Sequence, residues 1–330
     1  MKKYLIGAVA TAALLASAAS ASAEKVTLQL KWVTQAQFAG YYVAQEKGYY
    51  KAAGLDVTIK PGGPDLAPEQ IIAGGGADVI VDWLPAALAS REKGNKLVNI
   101  AQPFKRSGLM LACRKETGIA KPEDFKGKTI GVWFGGNEFP LLSWLSQLKL
   151  PTSGGKDGVT LMKQAFNVDP FLQKQADCIS VMSYNEYHQI LEAGVKPDDI
   201  VVFNYTDYKV NNLEDGLYVE EDRLKDPAFV ATMAKFVKAS MQGWADMRKD
   251  AKGAVAAVLK NDASGSQTEA HQASMVEEVN KLTEGSDGTL DVAAAGQTVA
   301  NLMQGDAPVI TKKPEGAWTD VVTKAAAALK

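Results

Sequence analysis

Between Val26 and Trp32 apolar and polar residues alternate strictly, setting Val26, Leu28, Leu30 and Trp32 on one face of a strand. A helix is expected from about Phe38, closing at Gly48, a residue suited to the left-handed position just past a helix end. The pattern then predicts strands at 55–59, 78–81 and 97–101, with helices at 68–73 and 84–93 and a turn at Pro61-Gly62-Gly63-Pro64. The small, apolar run Gly108–Cys113 has strand character and reads as a crossing into a second unit. There the alternation resumes: strands at 129–134, 159–163, 178–183 and 200–204, helices at 138–148, 170–175 and 186–193. Leu217–Val219 reads as the return crossing. From Pro227 onward the pattern is helical, and Met233, Phe236, Val237, Ser240, Met241 and Trp244 recur at three- and four-residue steps, as a helix face buried in a core does.

Strands alternating with helices at this spacing imply an α/β protein built on doubly wound parallel sheets. The order of segments predicts two lobes, one discontinuous (24–112 and 217–330, ending in a helical tail) and one inserted (113–216), hinged near Ala112 and Tyr218. Small ligands bind in the cleft of such folds, at the carboxyl ends of strands and the amino ends of helices.

Composition narrows the partners. The chain has 330 residues, enough for two cores, and its 36 Lys+Arg against 38 Asp+Glu include no cationic run that could follow a nucleic-acid backbone. A small-molecule ligand and a monomeric protein are expected. At the start, Met1-Lys2-Lys3 is cationic, Tyr4–Ala16 is nearly all apolar and Ala21-Ser22-Ala23 precede Glu24, the pattern of a secretory signal cleaved after Ala23. A membrane anchor is the competing reading, but Ser17, Ser20 and Ser22 break the run short of the ~20 apolar residues a span needs. The periplasm is the expected compartment. The only cysteines, Cys113 and Cys178, lie far from the cleavage site, so lipid attachment is not expected. An oxidising compartment would allow them to pair, yet a chain of this size needs no staple, and two separate buried thiols are expected. Neither His188 nor His271 has a partner at metal-ligand spacing, so neither a metal nor a cofactor is anticipated.

The stretch Gln45-Glu46-Lys47-Gly48-Tyr49-Tyr50, continuing to Val57, resembles a signature of the periplasmic binding proteins for nitrate, taurine, alkanesulfonates and thiamine-pyrimidine precursors. That superfamily also includes the yeast-type pyrimidine-precursor synthase. Gly76-Ala77-Asp78, the segment Lys121–Lys128 and Gly131–Glu138 extend the resemblance over almost the whole chain after the leader. It implies a two-lobed, type II binding protein that closes on its ligand and delivers it to the permease of an ABC importer. Trp32, the aromatic helix Phe38–Tyr42 and Tyr184-Asn185-Glu186 are most similar to the pyrimidine-precursor and flavin-type binders. Lys31 departs from those pyrimidine binders, which commonly carry an acid before the first tryptophan.

Candidate ligand contacts follow from position. Trp32 and Asp82-Trp83 fall at strand ends, where indole faces can stack on a planar ring and a carboxylate can accept from ring N–H or amino groups. Asp82 has the alternative of capping the next helix. Gly135-Gly136-Asn137-Glu138 opens a helix after a strand, so free N–H groups would point into the cleft. Glu138 there disfavours a small anion and suits a donor-bearing ligand, unless it only complements its helix dipole. Tyr184-Asn185-Glu186 ends a strand in the second lobe, with Asn185 as a possible helix cap. Gln35, Gln37 and Phe38 are secondary candidates. Two other readings stand beside a heterocycle binder: a sulfonate, taurine or nitrate binder, which needs a cationic or hydroxyl-rich cleft, and a synthase-type enzyme. The second lacks its groups, since Cys178 is isolated and Ala86 stands about where the synthase carries a histidine.

Overall fold

The computed structural model describes residues 23–329; the expected leader, but for Ala23, lies outside the described residues. Ten strands form two five-stranded sheets. The first orders as β2-β1-β3-β10-β4, from β1 (Glu24–Gln29), β2 (Leu55–Lys60), β3 (Val79–Asp82), β4 (Leu97–Ala101) and β10 (Gly216–Glu220). The second orders as β7-β6-β8-β5-β9, from β5 (Leu109–Arg114), β6 (Thr129–Val132), β7 (Thr160–Lys163), β8 (Cys178–Met182) and β9 (Ile200–Asn204).

The helices of the first unit are α1 (Ala39–Glu46), α2 (Tyr49–Ala52), α3 (Pro68–Ala73) and α4 (Leu84–Glu92), and those of the second are α5 (Phe139–Gln147), α6 (Asp169–Leu172) and α7 (Glu186–Glu192). The tail is α8 (Pro227–Lys249), α9 (Ala251–Asn261), α10 (Glu269–Thr283), α11 (Val292–Leu302) and α12 (Val321–Ala328). Gly48 takes its expected left-handed conformation between α1 and α2.

The sheets are mixed rather than wholly parallel. In the first, β10 runs antiparallel to both β3 and β4; in the second, β5 runs antiparallel to both β8 and β9. The path of the chain requires this. It leaves one sheet at the carboxyl edge of β4 and enters the other where Leu109 pairs with Met182, the last residue of β8. It returns where Gly216 pairs with Asp82, the last residue of β3. A strand that enters from the carboxyl edge must run against its neighbours.

Thus the two segments expected as crossings, Gly108–Cys113 and Leu217–Val219, are interior strands. Their residues from Leu109 to Cys113 and from Leu217 to Val219 are buried, as central strands must be. The connections are the flanking stretches, 102–108 and 205–215, rather than the segments at Ala112 and Tyr218.

Cys113 and Cys178 face one another across β5 and β8 and form a disulfide, where separate thiols were expected. Pairing depends on strand register, and 65 residues of separation hide that register in the sequence.

Packing of the tail follows the predicted helical face. Met233, Phe236, Val237, Ser240 and Trp244 are buried, and Met241 is partly buried. Tyr50 stacks on Phe236 with ring centroids 5.4 Å apart, and Asp226 caps the start of α8 by accepting from the Ala228 N–H. The α1–α8 crossing is close enough to require glycine on both helices. A Cβ at Gly40 would enter the Trp244 indole, and one at Gly243 would strike the Gly40 carbonyl. Gly243→Ala is therefore expected to destabilise the protein by about 1–3 kcal/mol, the usual cost of overpacking, whereas Gly296→Ala, with open space around it, should leave the urea midpoint unchanged or raised.

Candidate functional site

The carboxyl edges of both sheets face one gap. The first sheet's side contributes Lys31, Trp32, Gln35 and Gln37 from the segment after β1, and Trp83 from the end of β3. The second contributes Trp133 and Asn137 after β6, and Met182, Tyr184 and Glu186 from the end of β8 into α7. Trp32 and Trp133 meet edge to face, with centroids 5.9 Å apart and planes at 67°. Trp133 is anchored behind by its indole N–H, which donates to the Ala165 carbonyl at 2.9 Å.

Charge is concentrated behind these rings. Lys31 Nζ makes a buried ion pair with Asp82 and lies 5.6 Å from the Trp83 ring centroid. Asp82 Oδ1 also accepts from the Trp83 N–H at 2.8 Å, and its other oxygen has no partner among the described residues. Asp215, buried just before β10, accepts from Gln37 Nε2 at 2.7 Å and from the Trp83 indole N–H at 3.2 Å. Burial pushes its carboxyl up to about 7, against the pull of Gln37, Lys31 and Trp83. Burial likewise raises Glu186 to about 7, although its oxygens accept from the Met182 N–H at 2.9 Å and the Asn185 amide at 2.7 Å. Glu69 is pushed up to about 7 by burial and then by the Asp82 charge. One ammonium therefore faces several carboxylates. Such a site favours a ligand that brings hydrogen-bond donors or positive charge and disfavours an anion.

Of the candidates read from the sequence, Trp32, Gln37, Trp83, Asn137, Tyr184 and Glu186 line the gap together. Asp82 does not; it lies one layer back, and its expected acceptor role is taken by Lys31. The cap alternative for Asp82 is not realised either, since α4 has no side-chain cap. Asn185 also stands behind the surface, donating to Glu186 and hydrogen-bonded through Oδ1 to His271 Nε2 at 2.9 Å.

Gly135, Gly136 and Glu138 form a self-contained turn outside the lining. Glu138 Oε2 accepts from the Gly136 N–H at 2.7 Å, and Gly136 packs closely on Ala86 of α4. The free N–H groups expected there are thus partly satisfied from within. Phe38 is fully buried in the core of the first sheet's layer, away from the gap.

Lys31, Trp133 and Met182 also line the gap and Asp215 stands behind Gln37 and Trp83, none of them among the sequence candidates; Gln35, like Gln37 a secondary candidate, lines it as well. Trp133 follows a strand as Trp32 and Trp83 do, so the strand-end rule was enough to find it. Asp215 was hidden because the strand it precedes was read as a crossing.

Two sheets whose carboxyl edges enclose one gap, joined by two connections, define the two-lobed fold of periplasmic binding proteins. The chain belongs to the NMT1/THI5 like family, whose description matches residues 35–254. It is 24% identical over 240 residues to the formylaminopyrimidine-binding protein of Halalkalibacterium halodurans, covering 72% of this chain and 71% of that one. It is 25% identical over 247 residues to a riboflavin-binding protein of Chloroflexus aurantiacus, covering 72% and 67%. The fold superposes on a putative periplasmic sulfonate-binding protein of Methylobacillus flagellatus with a TM-score of 0.61 and 14% identity, over 92% of this chain and 94% of that one.

The Lys31–Asp82 pair gives the site's structural test. Lys31→Met strands a buried carboxylate and is expected to cost about 3–5 kcal/mol in urea unfolding, whereas Lys31→Met with Asp82→Leu should recover most of it. Equal losses in the single and double variants would show that the pair is not the source of the cost.

Proposed function

We propose that this chain is the solute-binding component of an ABC importer, acting in the periplasm and closing its two lobes on a planar nitrogen heterocycle of the thiamine-pyrimidine-precursor class. The observation that carries this reading is the pairing of aromatic and acidic groups from both sides of one gap: Trp32 and Trp83 against Trp133 and Tyr184, with Glu186 among them and Asp215 behind. Rings on two sides hold a flat ligand by its faces, and carboxylates accept from its N–H or amino edge.

The relatives support this class, because the two reported at similar identity bind a formylaminopyrimidine and a riboflavin, as their names state. A sulfonate or nitrate ligand fits less well, since the one ammonium at the gap is already paired with Asp82. A synthase-type enzyme also fits less well: both cysteines are tied in the disulfide, and His271 is engaged with Asn185 and Glu192 at 2.9 Å each. The signal read at residues 1–23 supports export, and the permease partner follows from the class.

Thermal shift and tryptophan emission on the exported form, with hydroxymethylpyrimidine, formylaminopyrimidine, riboflavin, taurine and nitrate, test the reading. A pyrimidine at a hundred times its Kd should add about 2.7 kcal/mol of stability and change the emission, and Trp133→Ala should weaken binding by at least about tenfold. Response to taurine or nitrate alone would overturn the assignment.

A further inference from the structure

The two connections between the sheets are tied together at Glu214. Glu214, in the second connection, is almost fully buried, at 1% exposure. One of its carboxylate oxygens accepts from the Ser107 hydroxyl, and the other accepts from the Gly108 N–H at 2.9 Å; both donors belong to the first connection. The Glu214 carbonyl accepts from Gln102 Nε2, and Gln102 Oε1 accepts from Asn99 Nδ2 of β4 at 3.0 Å.

The next residue, Asp215, turns the other way. With φ of 48° it occupies the left-handed region, which a non-glycine residue enters only when its surroundings hold it there. That turn aims its carboxylate at Gln37 and Trp83, both of which line the gap. Gly216 follows with no room for a side chain, since a Cβ there would strike Asn99 Nδ2 and Gln102 Oε1. Consecutive carboxylates thus grip the hinge and the ligand-facing wall, and the one peptide between them is fixed from both sides.

We propose that Glu214 and Asp215 are positioning residues that transmit the state of the gap to the hinge: displacement of Trp83 or Gln37 moves Asp215, and through the shared peptide it moves the Glu214 clamp on Ser107 and Gly108. This rests on the lobe-closure reading above but not on which solute is bound. It also accounts for the placement of a buried carboxylate at a hinge, where an apolar residue would pack without desolvation cost.

The test is made without ligand, so that its failure is separable from a wrong solute. Amide hydrogen exchange is followed over residues 102–108 in Trp83→Phe, Asp215→Asn and Glu214→Gln. Trp83→Phe keeps an aromatic ring but loses the N–H donated to Asp215 along with part of the indole, and Trp83 makes no hydrogen bond or ring pair with residues 102–108. All three variants are expected to raise exchange at Gly108 by about fivefold or more, the equivalent of one buried hydrogen bond, while α8 amides stay protected as in the parent. Faster exchange there in Glu214→Gln alone would overturn the proposal, because the clamp would then be local. Loss of protection in α8 for one variant signals general unfolding, and the other two then decide.

Discussion

Every feature of the site depends on the burial of carboxylates at the carboxyl edge of the sheets. A carboxylate removed from water is costly unless donors reach it. Asp82 is met by Lys31, Asp215 by Gln37 and Trp83, and Glu186 by the Met182 N–H and Asn185. These donors are the same residues, or neighbours of the same residues, that form the walls of the gap. The hydrogen bonds that satisfy the acids therefore also fix the rotamers of the aromatic and amide side chains that a ligand would meet.

The route of the chain explains why such groups gather in one place. Both connections run between carboxyl edges, so each strand that follows a connection is antiparallel, and the residues just before it come up behind the gap's wall. Asp215 is placed in this way. The C-terminal helices then fasten the arrangement from outside: Ser143 of α5 donates to the Asn301 carbonyl of α11, and His271 of α10 meets Asn185 and Glu192 of the α7 region. Asp65 and Lys163 add an exposed ion pair across the gap's rim at 2.9 Å, a contact of small energetic value.

Much of this was legible from residue order alone. Period-two and period-3.6 patterns located the strands and helices, and the strand-end rule identified Trp32, Trp83, Tyr184 and Glu186, because those signals are local. What escaped was non-local. An apolar run such as Leu109–Cys113 is the same whether it crosses between lobes or fills the middle of a sheet, and only its partners β8 and β9 decide. The disulfide and Asp215 were lost with that register. Glu138 stands apart from the lining for another reason: its carboxylate accepts from the Gly136 N–H two residues away, in a turn whose geometry two consecutive glycines leave open.

The central claim is that the gap's acids are matched to a ligand that donates to them, and proton linkage tests it directly. Burial holds Glu186 and Asp215 at about 7, so near that pH each is partly protonated before binding. A ligand that donates a hydrogen bond to Glu186, which lines the gap, favours its ionised form and lowers that value, whereas an anion raises it. Calorimetric titration with hydroxymethylpyrimidine at pH 7, repeated in buffers of different ionisation enthalpy, should show protons released and an affinity that rises between pH 6 and 8. Proton uptake, with affinity falling over the same range, would contradict the account.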